Sequence, residues 1–323
     1  ADPSGTQARP NGEDGIKVLP NLVASPAGYA LTWTDVGEDA ATVYLQRLGR
    51  DGSLQGKPVK VPTGSDLDLA AAATWNGREY AVAWYHLELR TQMGLRFARF
   101  GADGSRVGKE SVLHQGFLAT GAPGMAFMGD GYGVGWSTFI PRDETSQTLF
   151  VRVGAGGEGG RPVTVANAQG RNGGTSLAWN GRHFGMVWED GITLDDEDVP
   201  LGALAFAGVS PTAVVVPRKN LTGRDALSVL PTLAWNGQSY GLGWTRLSSD
   251  GADVFFSLAN DQGNLTGTPL RLTTHAPGLM PSAVYNGTEF AIAWTHASAE
   301  GVHLRLARID ASGRRVGGDV VIR

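Results

Sequence analysis

The sequence predicts an all-β protein, a six-bladed β-propeller with four antiparallel strands in each blade. Two observations support this prediction: a motif ending in tryptophan that recurs six times along the chain, and Asn-Gly turn signals between short apolar runs. No segment shows the 3.6-residue apolar period of an amphipathic helix over the length of a helix. Four short strands repeated with a period of about 50 residues are typical of propeller blades.

The recurring motif is an aromatic residue, three smaller residues and a tryptophan. It occurs at Tyr29–Trp33, Tyr80–Trp84, Tyr132–Trp136, Phe184–Trp188, Tyr240–Trp244 and Phe290–Trp294, with successive tryptophans 50 to 56 residues apart. Within it, bulky residues alternate with residues that are mostly Gly, Ala or Thr, so the two sets face opposite sides of a strand. We expect the bulky face of one blade to pack on the small face of the next, with the tryptophans in the core.

Each repeat is expected to form strands A, B, C and D. In the last repeat these are residues 282–285, 290–295, 302–309 and 319–322. The A–B turn is Asn-Gly at residues 76–77, 180–181, 236–237 and 286–287. Asn-Gly supplies the positive φ angles that a tight hairpin needs, so these junctions are predicted hairpin turns. Residues 16–18 resemble strand D, and the sequence leaves open which terminus completes the last blade.

Composition limits the domain organisation and the class of partner. We expect a flexible polar tail at residues 1–14 and one six-bladed domain at residues 15–323. The chain has no cysteine, which excludes disulfides, thiolate metal sites and cysteine nucleophiles. Lys and Arg number 27 and Asp and Glu 31, so a nucleic-acid partner is not expected. No apolar run reaches the roughly 20 residues that span a bilayer, so no transmembrane segment is expected.

The repeat resembles a family of tandem repeats found in secreted or surface proteins of bacteria. The resemblance rests on Ala178-Trp179-Asn180-Gly181, Phe184 and Trp188-Glu189-Asp190, and on Arg99 and Asp103-Gly104 in an earlier repeat. It extends over nearly the whole chain. The sequence begins at Ala1 rather than Met, so we expect a processed or trimmed product. The resemblance implies a propeller in an exported protein that is secreted, periplasmic or at the cell surface. It implies no particular activity.

The functional face is expected on the side of the B–C and D–A loops. These loops vary in length and charge, the longest being expected at residues 217–231, whereas the A–B turns are nearly constant. The position two residues after each repeated tryptophan is always polar: Asp35, His86, Thr138, Asp190, Arg246 and His296. These residues either form a ring that recognises a polar ligand, or are polar because strand ends emerge into water.

The ligand-binding candidates are residues of this set and one loop aromatic: His86, Asp190, Arg246, His296, Asp35 and Tyr85. Two functions stay open. The first is an exported, non-enzymatic binding scaffold that presents its loop face to a protein or a glycan. The alternative is a propeller-type carbohydrate-active hydrolase or lyase with carboxylate, His and Arg groups near the axis. The residues do not define the ligand or the oligomeric state.

Catalytic and metal signatures are weak in this sequence, so no catalytic residue, metal site or cofactor is predicted. The densest charge is the acidic stretch from Glu189 to Asp198. It lacks the alternating Asp ladder and the turn glycine of a calcium loop, which favours a solvated loop, although calcium binding there stays open.

Overall fold

The structure is a computed structural model that describes residues 16–37, 40–62, 67–89, 92–195, 197–249, 251–273, 277–298 and 301–322. The predicted tail at residues 1–14 and Asp196 of the acidic stretch lie outside the described residues. Within the described ranges all regular structure is β-strand, so there is no helix of the length and apolar character needed to cross a membrane.

The strands follow one another through the chain in groups of four. The first two groups are β1 (Ile16–Ser25), β2 (Gly28–Val36), β3 (Ala41–Leu48), β4 (Leu54–Lys60), β5 (Asp68–Trp75), β6 (Glu79–Leu89), β7 (Gln92–Gly101) and β8 (Arg106–Phe117). The next two are β9 (Ala119–Phe127), β10 (Gly131–Ile140), β11 (Thr145–Gly154), β12 (Val163–Gln169), β13 (Thr175–Trp179), β14 (Phe184–Leu194), β15 (Pro200–Val209) and β16 (Val214–Asn220). The last two are β17 (Leu227–Trp235), β18 (Tyr240–Ser248), β19 (Gly251–Ala259), β20 (Leu265–Arg271), β21 (Gly278–Tyr285), β22 (Glu289–Ser298), β23 (Gly301–Asp310) and β24 (Val320–Ile322).

Four of these groups are separate four-stranded antiparallel sheets, and the other two are merged. β1–β4, β5–β8, β9–β12 and β21–β24 each form their own sheet, whereas β13–β20 form one eight-stranded sheet. The merger is a parallel pairing of Gly202 with Leu227. It is possible because β16 pairs with β15 only from Ala205 onward, which leaves Gly202 open to the next group. The all-β, four-stranded antiparallel prediction is confirmed, but the described strands form four separate blades rather than six.

The structure differs from two further expectations. Residues 16–18 do not act as a strand D, because Ile16 to Val18 pair with Val36 to Thr34 inside the first hairpin. The loop expected at residues 217–231 is mostly strand, since β16 runs to Asn220 and β17 begins at Leu227. In the last sheet the outer strand is β24, so the C-terminal residues complete it.

Contacts divide the chain into two compact units. Unit 1 comprises residues 1–117 and 153–159, and unit 2 comprises residues 118–152 and 160–323. The core of unit 1 joins Val43 and Leu45 of β3 to Tyr80 and Trp84 of β6. Neighbouring sheets therefore share one apolar core.

In unit 2 the small faces are small because an aromatic ring of the next sheet lies against them. A Cβ on Gly241 of β18 would come within 2.5 Å of the Phe290 ring of β22, and a Cβ on Gly133 of β10 within 2.7 Å of Phe184. No side chain larger than hydrogen fits at these distances. Trp188 is fully buried in the core that also contains Phe184. The expected packing of bulky faces on small faces is present within this unit.

The Asn-Gly turns form as expected, and the asparagine side chain closes each one. Asn180 Oδ1 accepts hydrogen bonds from the backbone N–H groups of Arg182 and His183, both at 2.9 Å. Gly181 has φ of 93°, a conformation that glycine adopts without strain. The same arrangement recurs at Asn76, Asn236 and Asn286.

Candidate functional site

Two candidate residues in unit 1, Asp35 and Tyr85, are engaged within the fold. Asp35 Oδ2 lies 3.3 Å from Lys17 Nζ. Tyr85 is fully buried, with its ring 5.9 Å from that of Phe117 in an edge arrangement. Burial raises the pKa of the Tyr85 phenol. A ligand has no access to the Tyr85 side chain in this structure, so we leave this residue out of the candidate site.

His86, the third candidate in unit 1, lies beside a buried carboxylate. It pairs across the sheet with Asp68 of β5, and its Nδ1 is 3.2 Å from Asp68 Oδ1. The same oxygen accepts a hydrogen bond of 2.8 Å from Trp84 Nε1. Burial raises the pKa of Asp68, while the bond from Trp84 and the charge of His86 oppose this. The imidazole is therefore held in a defined orientation.

Asp190, in unit 2, is a fully buried carboxylate with cationic neighbours. Its Oδ1 accepts hydrogen bonds from Trp188 Nε1 at 2.9 Å and from Arg218 Nε at 3.2 Å, and its Oδ2 is paired with Arg218 Nη2. Arg224 Nη2 lies 3.6 Å from Oδ2. Both carboxylate oxygens are thus used inside the fold, and Asp190 is a framework residue in this structure.

Arg246 and His296 complete the candidate set. Arg246 is partly exposed and pairs with Asp225 at 2.6 Å. His296 is buried and lies across the hairpin from His303. Burial lowers the pKa of His296, and the charges of Arg305 and His303 lower it further. Within each unit, no hydrogen bond or ion pair joins any two of the candidate residues.

A pocket of unit 2 brings other polar groups together, on the side of the D–A and B–C segments. It is a cavity of about 370 Å³ beside the starts of β9 and β13 and the end of β14. Its lining is Leu118, Ala119, Thr120, Gly121, Arg171, Asn172, Gly173, Glu189 and Ile192. The pocket is open to solvent, and its lining combines apolar walls with a few polar groups, as small-molecule sites usually do.

Glu189 supplies the carboxyl group of this pocket. It follows the core residue Trp188, so it points to the opposite face of β14, where glycines at positions 173 and 174 leave room for it. Its Oε1 accepts a hydrogen bond of 2.8 Å from the backbone N–H of Leu230. Burial raises the pKa of Glu189, and hydrogen bonds from the Leu230 and Gly174 backbones oppose the increase. Compared with a carboxyl group in water, the ionised form of Glu189 is disfavoured, and a protonated carboxyl group donates a hydrogen bond as well as accepting one.

Arg171 supplies the cation. Its backbone forms two hydrogen bonds with Ile192 of β14, at 2.9 and 2.6 Å, which fix its position at the pocket wall. Its exposed guanidinium lies over the ring of Phe139, 4.9 Å from the centroid. In the described part of the chain no carboxylate pairs with this guanidinium. An arginine held by an aromatic ring without a salt bridge is available to bind an anion.

Two other polar residues of the lining differ in availability. Thr120 Oγ1 is buried without a hydrogen-bond partner among the described residues. The Asn172 amide, by contrast, donates to Thr148 and accepts from the Gly191 backbone, so it is part of the framework. The lining of the pocket therefore includes a guanidinium, a buried hydroxyl without a described partner and a carboxyl group.

The residues that the structure describes contain no cluster of three or more His, Asp or Glu side chains arranged to hold a metal ion. In the acidic stretch, Asp195 Oδ1 accepts hydrogen bonds of 2.9 Å from the backbones of Glu197 and Val199, which closes a turn.

Sequence reasoning missed Thr120 and Arg171 and treated Glu189 only as part of the acidic stretch. A signal for Glu189 exists in the repeat. The position directly after the tryptophan is uncharged in the other five repeats, at Thr34, Tyr85, Ser137, Thr245 and Thr295. A carboxyl group at a position that faces the buried side of strand B is unusual and points to a special environment.

Comparison with solved structures identifies the architecture. The chain is similar to an α-L-arabinofuranosidase from Fusarium graminearum, with a TM-score of 0.61 and 9% identity over 90% of this chain and 93% of the other. It is also similar to an oligogalacturonate lyase from Vibrio parahaemolyticus, with a TM-score of 0.53 and 10% identity over 95% and 85% of the two chains. An apocarotenoid oxygenase from Synechocystis gives a TM-score of 0.51 at 10% identity over 90% and 72%.

The chain has an all-β, propeller-like fold. At these identities the similarity establishes the fold alone. No protein-family model matches the chain, and no curated protein matches it.

Proposed function

We propose that this protein is a binding protein whose pocket takes a small anionic ligand rich in hydroxyl groups, such as an acidic sugar at the end of a glycan. The observation that supports this proposal is the arrangement of Arg171, Thr120 and Glu189 around one cavity. A planar guanidinium pairs with a carboxylate through two parallel hydrogen bonds. Thr120 Oγ1 and the Glu189 acid would bond to hydroxyl groups, which donate and accept as they do.

Binding is favoured over hydrolysis by the number of carboxyl groups. A glycosidase normally uses two Asp or Glu residues on opposite sides of the scissile bond. Among the described residues that line the pocket, only Glu189 carries a carboxyl group. Its neighbour Asp190 is enclosed by Arg218 and Arg224. Two of the fold neighbours are by name carbohydrate-active enzymes, which keeps the enzymatic alternative open without supplying the second carboxylate.

The same proposal includes the architecture and the setting. We take the eight-stranded sheet as two blades linked at the Gly202–Leu227 pairing, which makes six blades in a single domain at residues 15–323. The Trp-Asn-Gly repeat supports membership of the bacterial secreted or surface repeat family, and so an exported protein. A glycan or a protein that carries the acidic group would be the partner.

The test is calorimetric titration of the whole protein with galacturonic and glucuronic acids, their short oligomers, and the neutral sugars galactose and glucose. We expect binding of an acidic sugar and none of its neutral counterpart. Arg171→Ala should weaken binding at least tenfold, which corresponds to about 1.4 kcal/mol. Arg171→Lys should bind with an affinity between those of the wild type and Arg171→Ala. Arg182→Ala is the matched control, because Arg182 is an exposed arginine at an Asn-Gly turn. The proposal fails if no acidic sugar binds, or if Arg171→Ala binds as the wild type does.

A further inference from the structure

The cluster around His86 in unit 1 has a geometry that the proposed binding function does not use. Asp68 has no exposed surface, and its Oδ1 accepts the hydrogen bond from Trp84 Nε1. His86 Nδ1 lies 3.2 Å from that oxygen. Trp84 and His86 are two residues apart on β6, so both side chains reach Asp68 from the same face of the sheet.

The buried carboxylate determines the tautomer of the imidazole. A carboxylate oxygen accepts hydrogen bonds, so Nδ1 of a neutral His86 carries the proton and Nε2 carries the lone pair. His86 Nε2 forms no hydrogen bond with any described residue, and the side chain is 16% exposed. Across β7 the residue paired with His86 is Gly94, which places no side chain beside the ring. The nitrogen that carries the lone pair is therefore the one without a hydrogen-bond partner among the described residues, on a side chain that is partly exposed.

The second oxygen of the Asp68 carboxylate and the nearby charged groups complete the surroundings of this pair. Asp68 Oδ2 is buried without a hydrogen-bond donor among the described residues, so the carboxylate gains from a positive charge beside it. Arg96, opposite Trp84 on β7, pairs with Glu110 of β8 at 3.3 Å. The charge of Glu110 contributes to the raised pKa of Asp68, and Asp68 is the acidic group in direct contact with the imidazole.

We propose that Asp68 and His86 form a general-base dyad, and that this cluster is an ester-hydrolysing site. His86 Nε2 takes a proton from water as the water oxygen bonds to the acyl carbon of the ester. The bond from that carbon to the alcohol oxygen then breaks, and the imidazolium returns the proton to the leaving oxygen. The products are a carboxylic acid and an alcohol, and water is the only co-reactant. Asp68 acts through His86 as a positioning residue that stabilises the imidazolium.

The test is hydrolysis of para-nitrophenyl acetate by the whole protein between pH 5 and pH 9. We expect a rate that rises with pH and then levels off. His86→Gln should lower kcat/KM about 100-fold, the lower end of the range for general acid–base catalysis. Asp68→Asn should lower kcat about tenfold with KM unchanged and should alter the pH profile, as the loss of an orienting partner does.

His114→Gln is the matched control, because His114 lies in the same unit and packs its ring on Phe117. It should hydrolyse the ester at the wild-type rate. A His86→Gln variant as active as the wild type would overturn the proposal, and so would an equal loss in His114→Gln. These outcomes are separate from the sugar titrations, because the dyad shares no residue with the pocket.

A second measurement uses the wild-type protein, so it tests the proposal even when a variant fails to fold. Diethyl pyrocarbonate acylates the free nitrogen of a neutral imidazole, and mass spectrometry locates the modified residue. In the wild-type protein His86 should react at least tenfold faster than His114. A His86 that reacts more slowly than His114 across the pH range would overturn the proposal without any variant.

Discussion

The β5–β8 sheet of unit 1 and the β13–β16 strands of unit 2 each contain a fully buried aspartate bonded to the repeated tryptophan. Asp68 Oδ1 accepts from Trp84 Nε1 at 2.8 Å, and Asp190 Oδ1 accepts from Trp188 Nε1 at 2.9 Å. The aspartates come from different strands, since Asp68 lies on β5 and Asp190 lies on β14, at the repeat position that His86 occupies on β6. Two different sequence solutions thus satisfy the same indole N–H.

The difference between the two regions lies in the basic residue beside the aspartate. Asp190 is paired with the guanidinium groups of Arg218 and Arg224, so its carboxylate is part of the framework. Asp68 instead contacts the imidazole of His86, whose second ring nitrogen forms no hydrogen bond with any described residue. The same tryptophan–aspartate bond therefore supports stability in one sheet and positions a proton acceptor in the other.

The comparison predicts its largest effect at the tryptophans themselves. Trp188→Ala and Trp84→Ala should each lower the free energy of unfolding by about 3–5 kcal/mol, because both side chains are fully buried and leave a cavity. Urea denaturation followed by circular dichroism measures this. Trp179→Ala is the control, since Trp179 is only partly buried and should cost less. An unchanged transition for Trp188→Ala would contradict the packing of the shared core.

Replacing the buried aspartate should destabilise the protein more in unit 2 than in unit 1. Asp190→Asn should lower the free energy of unfolding by about 2–3 kcal/mol, somewhat less than a fully buried ion pair would lose, because the partner arginines are partly exposed. Asp68→Asn should lower the free energy of unfolding by less than about 1 kcal/mol. Asparagine still accepts the hydrogen bond from Trp84, and the substitution removes only a charge that burial disfavours. Equal losses for the two variants would remove the distinction between framework and proton-accepting aspartates.

Glu189 is another buried carboxyl group, and its contribution to stability should depend on pH. Its pKa is raised by burial, so its stabilising contribution is present below the usual value of 4.5 and is lost as pH rises through the folded-state pKa. Glu189→Gln should therefore raise the melting temperature at pH 7 and change it little at pH 4. Each pKa unit of the shift corresponds to about 1.4 kcal/mol. A variant less stable than the wild type at pH 7 would show that the ionised carboxylate is the favoured form.

The smallest effect is expected at an ion pair outside the buried sites. Arg246 and Asp225 pair at 2.6 Å, with the Asp225 side chain largely in solvent and the Arg246 side chain partly exposed. Arg246→Ala should change the free energy of unfolding by less than about 0.5 kcal/mol, and added salt should reduce even that. A loss as large as that of Asp190→Asn would mean that exposure does not distinguish these arginine–carboxylate pairs.

The local sequence pattern was sufficient to predict the positions of many strands and turns. The expected B strand at residues 290–295 lies inside β22 (Glu289–Ser298), and the expected C strand at residues 302–309 lies inside β23 (Gly301–Asp310). Alternation and turn chemistry act between near neighbours, so they can be read directly. The long loop expected at residues 217–231 was wrong, because Pro217 lies inside β16, the outermost strand paired with β15, and Pro231 lies inside β17.

The candidate site was harder to predict because its parts are distant in sequence. Asp190 stood out as a polar residue after Trp188, but the arginines that enclose it lie 28 and 34 positions away. The pocket joins Thr120 to Arg171 and Glu189, and no spacing rule connects these positions. His86 was singled out for its place in the repeat, while its partner Asp68 precedes the A–B turn and belongs to no repeated pattern.

The amino-acid sequence by itself determined that the chain forms four-stranded antiparallel groups with tryptophan cores and Asn-Gly turns, because alternation and turn propensity act over a few residues. Only the tertiary structure decided which buried carboxylate meets arginine and which meets histidine, and whether Glu189 lies in a cavity or in water. It also decided that β13–β20 join through Gly202 and Leu227. These outcomes depend on burial and on contacts between distant segments, where the cost of desolvating a charge is either compensated by a partner or moved into its pKa.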